Sequence, residues 1–252
     1  MTIKDKNMNK RVVITGMGVI SPVGNDVNTF WSNLCDGVCG IDYIKSFPTD
    51  NLPVGIAGII KDFKAEEYGM DKPFIRKQDL FTQYGVAAAY QAMRQSGLSS
   101  KGEDKNIDPF RLGVYFGSGI GGFATQYREV SKMIEDPSGQ WISPLFIPTM
   151  ISNIAAGHIA ILHNAQGPCL DIVTACATST NAMGEAFRAI RNGYADAIIT
   201  GGCENATIPI GIVGFANAKA LSRATDPNYA SLPFNGNRAG FVMADGSAAL
   251  VL

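Results

Sequence analysis

Apolar positions along this chain follow two rhythms. Short β-branched runs mark strands, and longer stretches with an apolar residue every three or four positions mark helices. Val12-Val13-Ile14-Thr15 predicts a buried first strand. Pro22 to Asp26 predicts a turn, with Asp26 capping a helix that carries Val27, Phe30, Trp31 and Leu34 on one stripe. Residues 42 to 62 predict turns and short extended pieces, and residues 80 to 98 a long helix with Phe81, Tyr84, Ala88, Ala92 and Met93 on related faces. After a polar loop from Lys101 to Asp108, Leu112 to Phe116 predicts a second buried strand that runs into Gly117-Ser118-Gly119-Ile120-Gly121-Gly122. Residues 149 to 163 predict a helix, and Leu170 to Thr174 a buried strand. A further helix is expected over residues 177 to 191, with Met183, Ala186, Phe187 and Ile190 at i, i+3, i+4 and i+7. Ala197 to Thr200 and one or two pieces within Phe241 to Leu252 complete the strands. Strands alternating with helices imply a layered α/β sheet. No linker, low-complexity stretch or internal repeat interrupts the pattern.

Composition narrows the function classes. With 252 residues the chain can form one large domain or two small ones. Apolar residues make up 46%, too many for a disordered chain. Charged residues make up 17%, against roughly 25% in an average domain, so part of the surface is not meant for water. Lys and Arg total 21 against 22 Asp and Glu, and no global positive field exists to hold nucleic acid. Lys4, Lys6, Lys10 and Arg11 ahead of Val12 to Ile20 loosely imitate a secretion signal, but Gly16, Gly18 and Ser21-Pro22 interrupt the run and no cleavage pattern follows. No stretch of about 18 apolar residues is present to span a membrane. Cys35, Cys39, Cys169, Cys176 and Cys203 are odd in number, which suits free thiols in a reducing cytoplasm. His158 and His163 lie far from Cys35 and Cys39 and lack zinc-ligand spacing, so no metal site is expected. The apolar run Ala248 to Leu252 has no polar tail after it, and reads as the middle of a longer protein.

Candidate chemistry centres on Thr174-Ala175-Cys176-Ala177-Thr178. A strand expected to enter a sharp turn that opens a helix would expose Cys176 at the positive helix N-terminus, which favours the thiolate nucleophile. The alternative is a cysteine packed as a small hydrophobe. Gly117 to Gly122 follows a strand as a nucleotide loop would, yet matches neither phosphate-binding pattern; the other reading is a turn that another segment approaches closely. His158 reads as a hydrogen-bonded core residue. His163 is placed near a helix end, where a cation is favoured.

Several motifs together resemble the β-ketoacyl-acyl carrier protein synthases of the elongating type, synthase II. They are Arg11 to Gly18 with Ser21-Pro22-Val23-Gly24, Gly117 to Gly122, Ser143-Pro144, Gly167-Pro168, Thr174-Ala175-Cys176, Gly201-Gly202-Cys203-Glu204 and Gly240-Phe241-Val242. The resemblance covers about residues 10 to 252 and implies the N-terminal half of a thiolase-like fold, with a mixed five-stranded sheet flanked by helices. It implies that Cys176 takes an acyl chain from an acyl carrier protein, and that a malonyl-loaded carrier is then decarboxylated to extend the chain by two carbons in fatty-acid synthesis. The Cys176 N–H would contribute to the oxyanion hole. Ile120 matches a gate beside the acyl pocket, Phe146 a pocket residue lent across a homodimer, and Phe215 a lining residue of the same tunnel. Lys72, Arg76 and Lys77 match a basic patch that docks the acidic carrier; a solvated charged surface is the alternative. The strand around Leu170 to Thr174 resembles the one that pairs with its twofold mate. No cofactor is implied. Asn235 and Ala239 stand where many members carry Asp. The family's two catalytic histidines, its lysine and a Gly-Phe-Gly-Gly loop belong to a C-terminal half that this chain lacks, and neither His158 nor His163 matches them. The chain alone is therefore expected to be inactive and to expose an apolar face that the missing half would cover. A polyketide or polyene ketosynthase, a non-catalytic partner of a condensing heterodimer and a thiolase-like transferase using coenzyme A are the alternatives.

Overall fold

The computed structural model describes residues 10–252; Lys4 and Lys6 of the N-terminal basic cluster lie outside the described residues. In chain order the elements are β1 (Gly16–Ile20), α1 (Val27–Cys35), β2 (Asp42–Tyr43), β3 (Ile56–Ala57), α2 (Lys72–Lys77), α3 (Leu80–Ser96), β4 (Leu112–Gly117) and α4 (Phe123–Glu135). They continue with α5 (Phe146–Met150), α6 (Ile154–His163), β5 (Cys169–Leu170), α7 (Thr178–Arg191), β6 (Ala197–Glu204), α8 (Pro209–Asn217) and β7 (Gly246–Val251). Five strands form one sheet in the order β1-β7-β6-β4-β5, and β2 and β3 pair separately. The sheet is mixed, as expected: β5, β4 and β6 run parallel, while β7 is antiparallel to both β6 and β1.

Alternating side chains on the central strands feed two cores. Val114, Phe116 and Ile199 face α3 and α6, whereas Tyr115 and Ile198 face α7. A third cluster, around Ile56, Ile212 and Met243, joins the two-stranded sheet to α8. The helix α3 is sharply bounded because Asp79 accepts a hydrogen bond from Phe81 N–H at its start and Gly97 takes a left-handed conformation at its end.

Several expectations need correction. The first strand is Gly16–Ile20, not Val12–Thr15, and Val13 and Ile14 are exposed. Its glycines are what let α3 lie directly on it: a Cβ on Gly16 would sit 2.0 Å from the Ala92 carbonyl oxygen, and one on Gly18 2.0 Å from that of Ala88. Helix α1 forms under its Asp26 cap, but no residue in it is buried and Trp31 is 65% exposed. The helix expected over 149 to 163 is two helices broken at Ile151 to Asn153. Pairing between Leu170 and Thr174 stops at Leu170, and Leu170 and Val173 are exposed rather than buried. On α7 the buried face is Thr178, Ala182, Ala186, Ala189 and Ile190, leaving Phe187 outside. Among the described residues no helix is long and apolar enough to cross a membrane, and no His, Cys, Asp or Glu cluster could hold a metal.

Candidate active site

The site lies beyond the carboxyl ends of the parallel strands β4, β5 and β6, the end at which open α/β sheets commonly gather ligands. After β5 the chain continues without regular structure to Thr174 and then turns. Ala175 adopts φ +51°, a left-handed conformation costly for a residue with a Cβ. A single 3₁₀ turn over Ala175–Ala177 holds Cys176, and α7 leaves at Thr178. The first turns of α7 hold the strained residue's neighbour in place: Thr174 N–H donates to Thr178 Oγ1 at 2.9 Å, and Asn181 Nδ2 donates to Thr174 Oγ1 at 2.6 Å. Cys176 is exposed, and its N–H makes no hydrogen bond among the described residues.

The glycine loop packs against this turn. A Cβ on Gly117 would lie 2.2 Å from the Ile172 carbonyl oxygen and 2.4 Å from Thr178 Cγ2, so only glycine lets β4 end beside the nucleophile's turn. One on Gly119 would reach to 3.6 Å from the Ala175 carbonyl oxygen. The loop's donors are already engaged by protein. Glu204, the last residue of β6, accepts from Ser118 Oγ at 3.0 Å and from Gly119 N–H at 2.7 Å, and Gly121 N–H donates to Ser118 Oγ at 2.9 Å. The nucleotide-loop reading is therefore replaced by the other one, a turn shaped by close approach. Burial pushes the Glu204 carboxyl up, against the Gly119 amide, the Ser118 hydroxyl and the Ile120 amide. On the far side of the loop Ser152 Oγ donates to Asp171 Oδ2 at 2.6 Å, and burial raises the Asp171 carboxyl.

The other residues singled out from the sequence fall in three places. Ile120 is exposed on the glycine loop. Phe146 is half-buried at the start of α5 and lines a cavity of about 260 Å³ that also receives Arg76, Lys77 and Arg128. Phe215 on α8 stacks edge-to-face on Phe241, with ring centroids 5.5 Å apart. Lys72, Arg76 and Lys77 are exposed on α2. The structure thus brings the Ile120 loop to the Cys176 turn, places Phe146 beside Arg76 and Lys77, and leaves Phe215 with Phe241. Thr178, Asn181, Glu204 and Asp171 escaped the sequence reading as site-forming residues, although Glu204 stood in a quoted motif.

Neither histidine hydrogen-bonds Cys176 among the described residues. His158 meets Phe74 edge-to-face, and burial lowers its pKa. His163 closes α6, but burial, reinforced by Lys101, pushes it down to about 4, so it is a neutral imidazole at pH 7 and not the helix-end cation expected. Cys203 is sealed in the core against Gly85, and burial holds its thiol far above the ordinary range. Burial likewise raises the Cys169 thiol.

A family model, Beta-ketoacyl synthase, N-terminal domain, matches residues 9–252. The chain belongs to the β-ketoacyl synthase family. This synthase domain is 44% identical over 246 residues to 3-oxoacyl-[acyl-carrier-protein] synthase 2 of Staphylococcus aureus strain N315, covering 98% of this chain and 58% of that protein. The Vibrio cholerae protein of the same name is 44% identical over 244 residues, with 96% and 58% covered. Among solved structures, a β-ketoacyl synthase from Burkholderia phymatum STM815 superposes with a TM-score of 0.82 at 25% identity, over 96% of this chain and 58% of that one. A ketosynthase solved with its type II PKS acyl-carrier protein gives 0.79 at 27% identity, over 97% and 58%. The synthase chain thus spans little more than half the length of the relatives it matches, and its fold is that of the ketosynthases.

Proposed function

We propose that this chain is the nucleophile-bearing half of a 3-oxoacyl-[acyl-carrier-protein] synthase acting in fatty-acid elongation. The observation that carries the reading is Cys176: exposed, on a strained turn opening α7, with its own N–H free to meet an oxyanion. In the first step the Cys176 thiolate attacks the carbonyl of a carrier-bound acyl thioester. The tetrahedral intermediate collapses to acyl-Cys176 and expels the carrier thiolate, which takes up a proton. In the second, a malonyl-loaded carrier loses carbon dioxide, and the resulting carbanion attacks acyl-Cys176. The Cys176 thiolate leaves, and the carrier holds a 3-oxoacyl chain two carbons longer.

The second step needs donors for the developing enolate. Neither His158 nor His163 is placed to help, so those donors come from a C-terminal half outside these 252 residues, and this chain alone is inactive in condensation. Exposed Lys72, Arg76 and Lys77, joined by Arg128 at the neighbouring cavity, supply the positive surface on which an acidic carrier would dock. The unpaired edge of β5 is the surface for homodimer formation, which would bring Phe146 to its mate's acyl pocket beside Ile120 and Phe215. Free thiols and the carrier-dependent reaction fit a cytoplasmic enzyme with no cofactor. Identity of 44% to synthase 2 proteins, against 27% to the polyketide ketosynthase, favours the fatty-acid pathway.

The test is incubation with an acyl-carrier thioester followed by peptide mass spectrometry. The expected result is a single acyl adduct on Cys176, absent in Cys176→Ala. Adducts on Cys35 or Cys169 with Cys176 unmodified would sink the assignment. Addition of the C-terminal half of a synthase 2 in trans is expected to restore condensation with malonyl-carrier.

A further inference from the structure

Glu204 sits on β6 and the nucleophile follows β5, yet the two meet through the glycine loop. The last residue of β6 presents two carboxylate oxygens to two donors of that loop, Ser118 Oγ to Oε1 and Gly119 N–H to Oε2. Ser118 passes the hold onward, since the same hydroxyl accepts Gly121 N–H. Between these anchors stands Ile120, exposed and one residue beyond Gly119, where an added Cβ would come within 3.6 Å of the Ala175 carbonyl oxygen beside Cys176.

We propose that Glu204 is the positioning residue that sets Ile120 over the approach to Cys176, and so decides how readily a long acyl chain reaches the thiol. The inference rests on the reading of Cys176 as the acyl acceptor. The chemistry requires a carboxylate. Two donors are met by two acceptors, whereas a glutamine offers one oxygen and turns its NH2 toward the other partner, which only Ser118 Oγ can meet, by accepting instead of donating. In Glu204→Gln the Ser118 hydroxyl must therefore reverse: its hydrogen loses the carboxylate, its oxygen is shared between the new NH2 and Gly121 N–H, and the relay to Gly121 weakens. The loop then loses its register without any change at the Thr174 to Asn181 hydrogen bonds that hold the thiol.

The experiment compares the rates at which Cys176 is alkylated by iodoacetamide and by its N-dodecyl analogue, read by peptide mass spectrometry, with Cys35 as internal reference. In Glu204→Gln the long-to-short rate ratio at Cys176 is expected to change by about fivefold or more, the Cys35 ratio staying within about twofold. Glu204→Asp, which keeps both acceptors, is expected to recover part of the change. A carboxylate that merely stabilised β6 would lower the urea midpoint and move both rates together. Folded Glu204→Gln protein with an unaltered ratio overturns the proposal. Should Glu204 variants fail to fold, Ser118→Ala decides: a shifted ratio supports the relay, and an unshifted one refutes it. Failure of wild-type Cys176 to accept an acyl group from a carrier thioester would defeat the functional reading but leave the alkylation ratio readable.

Discussion

The five-stranded sheet ends in two unlike edges. At β1 the backbone groups that no strand pairs are taken by a helix: Gln95 Oε1 accepts Met17 N–H at 2.6 Å, Gln91 Oε1 accepts Val19 N–H at 3.4 Å, and Gln91 Nε2 donates to the Val19 carbonyl at 3.0 Å. Glutamines four apart on α3 project on one side of the helix and replace a sixth strand. At β5 two exposed residues, Cys169 and Leu170, form the whole strand, and among the described residues no strand pairs with its outer edge. A sheet edge left open invites pairing, and proteins usually blunt it. One end of this sheet is closed by its own helix, whereas the end nearest Cys176 is left available for the homodimer proposed above.

The comparison can be broken at the closed edge first. Gly18→Val drives side-chain atoms into the Ala88 carbonyl and is expected to cost about 3 kcal/mol or more in urea unfolding, or to prevent folding. Near the open edge, α6 ends in His163. Its folded pKa of about 4 lies below the ordinary 6.5, so the unfolded chain binds the proton first as pH falls. Stability is unaffected above about pH 6.5 and declines as pH drops toward 4, by about 3 kcal/mol at the limit. His163→Leu should flatten that interval in denaturant titrations, leaving the losses toward pH 2 that come from Glu129 and Asp196, both held down at about 2. A stability curve that still falls equally between pH 6.5 and 4 would contradict this. Gln91→Ala leaves Val19 N–H and two carbonyls without the side chain and is expected to lower stability by about 2 kcal/mol, with self-association unchanged. Leu170→Lys should do the opposite, leaving the urea midpoint in place while weakening self-association about tenfold by sedimentation, equivalent to about 1.4 kcal/mol.

Elements with local signals were legible. The recurring apolar positions Phe81, Tyr84, Ala88 and Ala92 mark α3, and the continuous apolar run of β4 announces a buried strand. What escaped has a remote cause. Nothing near Gly16 and Gly18 shows that Ala88 and Ala92 press on them, so the more β-branched Val12 to Thr15 looked like the better strand. The run Met150-Ile151-Ser152-Asn153 reads as helix, yet the chain breaks there and Ser152 turns to Asp171. At the site, the nucleophile's turn was visible because Thr174 to Thr178 is contiguous. The tether of the glycine loop was not, because its acceptor lies 85 residues from Gly119.

Cys203, pressed against Gly85 under the sheet, gives this protein a built-in gauge. Four thiols stand exposed and one is sealed. A colorimetric titration with a bulky disulfide reagent should therefore report four equivalents from the folded single chain, fewer where the β5 edge that carries Cys169 is paired, and five after denaturant, so the fraction of folded protein in any preparation can be read from a cuvette before an assay is run.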